Sequence, residues 1–452
     1  MGGMEYLASR KEIMSSSIVI GAGWAGLHCA YTLAKAGQSV TLIEAAPQVG
    51  GRARSVPFAA HTVDNGQHIC IGAYHCLRDL LRELNLDETQ LFKILPMEFI
   101  AHGKQTLHLT LPNLPPPFNL LCAVLTAKNI AWLDKLQIIK FCYLLHKINF
   151  TLEQDCGLLV LLKNYHQSDT IIKQLWEPIV VAAMTTPIQH ASAQIFLNIL
   201  KTMFLNNRRN SDWYIPAADL SAILPMHIEN YLLQSGHQIV YGQPIKQLIL
   251  DKNRCLTVKS LSHSWQADHF VLATSPWQAS LLLQPHLITN ELHKNLNNFT
   301  YEPISTIYFE FPNPVNLKYP MRSLLDTTCH WVFDRAFAGQ PNILSAVISA
   351  SGSHTDLAPA DLAAQVLKEL QATFPHLGTP IKHRVIKEKR AAFTCSVDLQ
   401  KYRPSPQTNI SNLWLSGDYL QTNLPATLEG ALLSGKKTAV CILEGGSDNR
   451  GI

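Results

Sequence analysis

Ser17-Ile-Val-Ile-Gly-Ala-Gly-Trp-Ala-Gly26, followed 18 residues later by Glu44, is the stretch that decides how this chain folds. A short β-branched run that ends in glycines reads as a buried parallel strand. Leu27, Ala30, Tyr31 and Ala34 then recur at helical spacing until Gly37 supplies a C-cap, and Val40-Thr-Leu-Ile43 reads as the next strand. Between a strand and a helix, the G-x-G-x-x-G spacing becomes specific for a dinucleotide. Gly21 permits the tight turn, Gly23 lets the backbone approach a pyrophosphate, and Gly26 lets the helix opened by Trp24 and Ala25 pack close to the strand. The phosphates then rest on a helix N-terminus, where free N–H groups and the dipole favour an anion. Glu44 ends the second strand, where an acidic side chain accepts hydrogen bonds from ribose hydroxyls.

Working outward, Gly50-Gly51-Arg52 offers a second close backbone approach with a cation beside it. A simple nicotinamide-dependent dehydrogenase has no use for that feature. Near the other end of the chain, Leu413-Trp-Leu-Ser-Gly417 reads as a strand, and Gly417-Asp418 follows it as a further backbone turn whose carboxylate can accept from a polyol. Capping a turn is the competing role for Asp418. FAD has both a pyrophosphate and a ribityl chain, so it explains why the two ends of the chain converge on one ligand.

The expected fold class is α/β: a doubly wound, Rossmann-like FAD-binding domain interrupted by a substrate domain of mixed helices and antiparallel sheet. Residues 15–86, 236–300 and 386–446 form the discontinuous FAD domain, and residues 87–235 and 301–385 form the substrate or lid domain. The first insertion carries Leu114-Pro-Pro-Pro117 and an apolar helical stretch over 120–150. The second begins with Tyr301-Glu-Pro-Ile-Ser-Thr-Ile-Tyr-Phe-Glu310, whose alternation suits an antiparallel strand.

Composition narrows the function. The chain has 452 residues, 47% hydrophobic and only 15% charged, which excludes disorder over most of its length. A net charge of +4, evenly spread, excludes a nucleic-acid binder that tracks phosphates. Ten cysteines without a C-x-x-C pair point to free thiols in a reducing compartment rather than to zinc or thioredoxin chemistry. The first 17 residues lack an apolar core with a cleavage site, Tyr6 breaks the myristoylation pattern after Gly2, and no window approaches ~18 consecutive apolar residues. A cytoplasmic protein, peripheral on the inner membrane, is the expectation. The 120–150 stretch, where Trp132, Leu136, Ile139 and Tyr143 recur at helical spacing among Lys128, Lys135, Lys140 and Lys147, is compatible with a membrane interface without by itself requiring one. Burial against the lid domain is the alternative for that stretch.

With GAGWAGL, Glu44, GGR and the terminal GDY, EGA and SG in place, the chain resembles the FAD-dependent amine oxidase and phytoene desaturase superfamily. Asp64-Asn-Gly-Gln-His68, Gly72-Ala-Tyr74, Trp176-Glu-Pro-Ile, Thr186-Pro187, Pro216 with Asp219-Leu-Ser221, and Leu424-Pro-Ala-Thr427 look like the squalene-associated desaturase group. Characterised members of that group are hydroxysqualene dehydroxylases of hopanoid biosynthesis. The resemblance implies that Asn65, Gly66 and Leu424 join the cofactor site. It also implies a long-chain isoprenoid substrate, an electron donor the sequence does not identify, and squalene-synthase-like pathway partners. An oxidative carotenoid or polyene desaturase is the alternative on this scaffold. A prenyl-lipid carrier of the GDP-dissociation-inhibitor type is a more distant one, opposed by the intact glycine turn, Glu44 and Asp418.

Replacing an allylic hydroxyl by hydride requires a reduced flavin, a proton for the departing water and a dry apolar tunnel. Four side chains are candidates to serve it. His68 follows the Asp64-Asn-Gly turn and can donate as imidazolium, although a backbone carbonyl can equally satisfy it. Asp219 can act as an acid if burial raises its pKa, or it can cap the helix that starts at Leu220. Tyr74 and Trp176 can face developing positive charge, or can simply pack in the core.

Overall fold

The computed structural model describes residues 15–205 and 207–445, so the readings made on residues 1–14 lie outside it. Five parallel strands form the frame of the cofactor domain. In spatial order they are Gln238–Val240, Ser39–Ile43, Ser16–Ile20, His269–Leu272 and Leu413–Leu415. In chain order this is 3-2-1-4-5, the doubly wound arrangement whose crevice opens at the carboxyl ends of the strands.

Alternate residues of these strands enter different cores, because successive side chains point to opposite faces. Val19, Leu42, Val271 and Trp414 pack against Leu27 and Leu33 of the helix Trp24–Lys35, Leu432 of the helix Leu428–Leu443 and Ile228 of the helix Pro225–Gln234. Ile18, Ile20, Phe270 and Leu272 face the other way, onto a small antiparallel sheet that includes Gln247–Asp251 and Arg254–Lys259. The helix Pro225–Gln234 touches Trp24–Lys35 through Tyr231 and Tyr31, whose ring centroids are 4.8 Å apart. It therefore belongs to the cofactor domain, although a boundary at residue 235 assigns it to the insertion.

The two insertions are joined by one seven-stranded sheet, in the order Lys382–Phe393, Tyr301–Glu310, Ile343–Ser349, Trp331–Asp334, Met321–Leu324, Glu98–His102 and Leu107–Thr110. All neighbours are antiparallel except Met321–Leu324 with Glu98–His102, which run parallel across the junction between the insertions. The boundary expected at residue 386 falls inside the strand Lys382–Phe393, so the sheet itself sets the border near its end. One face of the sheet is covered by Leu362, Val366 and Leu370 of the helix Pro359–Thr373. The opposite face is the floor of a cavity, which the helices Glu177–Met184 and Ala193–Phe204 also line.

The apolar stretch over 120–150 is two helices, Phe118–Thr126 and Trp132–Lys147. They separate because Lys128 leaves the helix to exchange backbone hydrogen bonds with His108, and Asn129 turns left-handed at φ 60°. Phe118, Leu121, Leu125, Trp132, Leu133 and Tyr143 are exposed along the pair. Among the described residues no helix is long and apolar enough to cross a membrane.

Candidate active site

The glycine turn is built from three different constraints. Gly21 has φ 106°, and a Cβ there would lie 2.5 Å from the Ala273 carbonyl oxygen. Gly26 faces inward, where a Cβ would stand 1.9 Å from the Gly21 oxygen and 2.9 Å from the Ala273 Cβ. Gly23 differs from both: its φ is −70°, and a Cβ on it meets nothing within 4 Å. That open space lies at the N-terminus of the helix Trp24–Lys35, which no side chain caps, and it is where a pyrophosphate would fit. Gly50 pairs with Gly23 across the turn, its N–H donating to the Ala22 oxygen at 2.8 Å. Glu44 is held by two backbone donors, Ala22 N–H to Oε2 at 2.6 Å and Ala46 N–H to Oε1 at 2.8 Å. Its carboxylate thus keeps a fixed orientation toward the cavity with lone pairs left for sugar hydroxyls.

At the other end of the crevice, Arg52 donates from Nη2 to Asp418 Oδ2 and from Nη1 to the Ala391 oxygen, both at 2.7 Å. The pair ties the glycine-rich turn to the loop after the last parallel strand, so one wall is made of segments 366 residues apart in sequence. Arg403, 1% exposed, shapes that loop from behind. Its guanidinium donates to the carbonyls of Asp418 (3.0 Å), Tyr419 (3.2 Å), Leu420 and Leu424 (2.8 Å), and to Thr422 Oγ1 (2.9 Å). Gly417 N–H is taken up by Ser434 Oγ at 2.9 Å.

A third segment, Asp64 to His68, crosses between the domains. Asp64 Oδ1 accepts from Leu220 N–H at 2.7 Å, while its Oδ2 lies 3.7 Å from Arg335 Nη1. Arg335 also donates to Gln67 Oε1 at 2.9 Å, and Tyr308 O–H donates to the Asp64 carbonyl at 2.9 Å. Burial outweighs the Arg335 cation and pushes the Asp64 carboxyl up to about 6. His68 Nδ1 lies 2.6 Å from the Gly66 oxygen. A carbonyl only accepts, so Nδ1 carries the proton. Desolvation holds the ring below its usual pKa, against the Gly66 bond and with help from the Arg52 charge. The ring is therefore neutral near pH 7, with a lone pair on Nε2, and does not suit the proton donation expected of it.

These segments converge on one cavity of about 1320 Å³. Gly21, Gly23, Trp24, Ala25 and Glu44 line it, as do Gly50, Gly51 and Arg52. Asn65, Gly66, His68 and Tyr74 also line it, with Gly417, Asp418 and Leu424. Gly26 stands behind the wall in its packing role. Two candidates lie elsewhere. Trp176 is buried with its indole N–H on Gln167 Oε1 at 3.0 Å and its ring edge against Phe141 and Phe196, so it is core. Asp219 caps the short helix Leu220–Ile223 by accepting from Ala222 N–H at 3.1 Å, and Ser55 Oγ donates to it as well. Both corrections have the same cause: each polar atom already has its partner away from the cavity. Arg403 and Arg335 escaped sequence reading because their partners are backbone carbonyls or residues hundreds of positions away.

The volume exceeds the roughly 300–1,000 Å³ of ordinary small-molecule pockets. The part beyond Gly66 and His68 is walled by Met97, Phe99, Ile179, Met203, Trp331 and Phe333. It is an apolar chamber at the end of a dinucleotide cradle. Among the described residues no cluster of metal-ligating side chains occurs.

Glu429 gives the site a pH signature. It accepts from Cys76 N–H at 2.7 Å and Leu77 N–H at 3.1 Å, which fastens the helix Leu428–Leu443 to the helix His75–Glu83. Burial outweighs these bonds and pushes its carboxyl up to about 7 from an ordinary 4.5. Between those two values the folded chain keeps a proton that the unfolded chain has lost. Its contribution to stability therefore falls as pH rises through that window, by at most about 1.4 kcal/mol per pH unit. Glu429→Gln is expected to remove this slope, so the gap between variant and parent in thermal unfolding should change across pH 4.5–7. Parallel curves would show that Glu429 ionises without penalty.

A cradle built around two glycine turns, a fixed Glu44 and an Arg52–Asp418 pair defines an FAD-dependent oxidoreductase. Comparison with known proteins agrees: residues 24–443 match the model of the flavin containing amine oxidoreductase family. The chain belongs to that family. Curated relatives include hydroxysqualene dehydroxylases of Zymomonas mobilis subsp. mobilis (24% identical; 94% of this chain and 98% of that one) and Rhodopseudomonas palustris (26%; 96% and 100%). A probable zeta-carotene desaturase of Synechococcus elongatus is 23% identical over 94% of this chain and 98% of its own. A putrescine oxidase triple mutant superposes with a TM-score of 0.77 at 15% identity, over 95% of this chain and 99% of that one, which bears on the fold.

Proposed function

We propose that this chain carries out the reductive dehydroxylation of hydroxysqualene to squalene. The observation that carries this reading is the largely apolar part of the cavity adjoining the flavin cradle, walled by Met97, Phe99, Ile179, Met203, Trp331 and Phe333, which suits a long isoprenoid better than a polar amine. The full-length likeness to two hydroxysqualene dehydroxylases supports it. Bound FAD, in its reduced form, supplies the hydride. In net terms, the C–O bond of the alcohol would be replaced by C–H and its oxygen released as water, the hydride and the proton together amounting to the two hydrogens of the fully reduced cofactor. Glu44, Arg52 and Asp418 hold the cofactor at one end. Met203, Trp331 and Phe333 exclude water at the other, so developing allylic charge is kept from solvent capture.

The test is the starting redox state. Anaerobically reduced enzyme mixed with hydroxysqualene is expected to regain oxidised-flavin colour and release squalene in a single turnover. If reduced enzyme leaves hydroxysqualene untouched, and oxidised enzyme bleaches on adding phytoene or zeta-carotene, the chain is a desaturase like its Synechococcus elongatus relative.

A further inference from the structure

The floor of the chamber is one face of the seven-stranded sheet, with apolar side chains at Ile304, Val347, Phe333, Met321 and Phe99. Thr306, Ser349 and Glu388 are polar positions on this face, the last two paired with Ile304 on either side, and Thr306 is the one of the three whose side chain is buried without a partner among the described residues. It lies in the strand Tyr301–Glu310, paired with Val347 on one side and Ile386 on the other, and is 1% exposed. The residue borders the cavity, and its buried Oγ1 has no hydrogen-bond partner among the described residues. A buried hydroxyl left unpaired is unfavourable, and valine would fill the same space without that cost. The position is also specific. A Cβ placed on Gly66 would lie 3.8 Å from both Thr306 Oγ1 and His68 Cε1, so the hydroxyl sits where the cofactor segment Asp64 to His68 meets the chamber. Two other unpartnered donors on the wall, the indole N–H groups of Trp331 and Trp213, stand elsewhere. Trp331 is two strands from Thr306, roughly 10 Å away at normal strand spacing.

We propose that Thr306 recognises the hydroxyl of the substrate, its O–H donating to the alcohol oxygen at the cofactor end of the chamber. This rests on the dehydroxylase reading and names the group that separates an alcohol substrate from a hydrocarbon. A hydrocarbon offers Thr306 no acceptor and leaves its hydroxyl unpaired. Sites that hydrogen-bond a substrate hydroxyl discriminate strongly against analogues without it for this reason.

The experiment titrates oxidised, flavin-loaded enzyme with hydroxysqualene and with squalene, following the flavin absorbance, so that affinity is read without turnover. The parent enzyme is expected to bind the alcohol tighter, Thr306→Val to lower the alcohol-to-hydrocarbon ratio about tenfold with squalene affinity unchanged, and Thr306→Ser to restore it. Flavin content and thermal transition of each variant report its folding, and Thr306→Ala serves in place of valine if the latter fails to fold. If the ratio stays the same in the variant while the parent converts hydroxysqualene, the role of Thr306 is refuted and the function stands. A parent enzyme that neither prefers nor converts the alcohol overturns both.

Discussion

Gly23→Val is expected to fold normally and to purify without flavin. A valine at φ −70° is unstrained, and its Cβ meets no protein atom within 4 Å, so the chain has no reason to reject it. The isopropyl group instead fills the space over the N-terminus of the helix Trp24–Lys35 and displaces the pyrophosphate from its backbone donors. Losing two charge-assisted hydrogen bonds at about 1.5–3 kcal/mol each weakens FAD by roughly 10²–10⁴-fold. Gly26→Val makes the contrasting case. Its Cβ would overlap the Gly21 oxygen at 1.9 Å, so helix and strand must part and the variant should fail to fold. Circular dichroism with flavin absorbance separates the outcomes, and a folded Gly23→Val retaining stoichiometric FAD would refute the cofactor placement.

The second large effect is expected at Arg403. Burial holds its pKa down to about 10, so it stays charged near neutrality, yet no carboxylate bonds to it directly. Its charge is balanced by converging carbonyls from Asp418, Tyr419, Leu420 and Leu424. Arg403→Met fills the volume but leaves these acceptors facing an apolar side chain. Unsatisfied buried groups cost about 1–3 kcal/mol each, and relaxation of the loop recovers part of it, so a net loss of roughly 3–5 kcal/mol follows. Because the same loop carries Asp418 and Leu424 to the cavity, the variant should also bind FAD poorly. Arg403→Lys should recover only part of both, since an ammonium lacks the planar fork that reaches several carbonyls at once. A variant with unchanged melting temperature and flavin content would show that water replaces the guanidinium.

The parallel sheet and most of its cradle were legible in the sequence because their chemistry is local. The spacing of Gly21, Gly23 and Gly26 after a β-branched run dictates a turn, a close approach and a packing contact within a few residues of each other. Glu44, Gly50 and Gly51 follow within one more strand and turn. Asp418 was legible only as a carboxylate after a strand, and its pairing with Arg52 was not. The stretch over 120–150 was read from periodicity as one helix, but Lys128 found a better backbone partner in His108 and broke it.

The four proposed catalytic side chains show where local reading ends. His68 and Tyr74 line the cavity, whereas Trp176 and Asp219 satisfy their polar atoms elsewhere. Residue type and position were the same kind of signal for all four, and only the partners each one found in space divided them.

The sequence by itself therefore determined the dinucleotide fold, the flavin and most of the glycine-rich cradle that lines the cavity, because these depend on backbone conformations encoded within short segments. The tertiary structure alone decided which wall faces the substrate, the tautomer of His68, the hidden support by Arg403 and Arg335, and the unpaired hydroxyl of Thr306. Those depend on desolvation and on hydrogen-bond partners from strands up to several hundred residues apart, and such partners are set only when the sheets close.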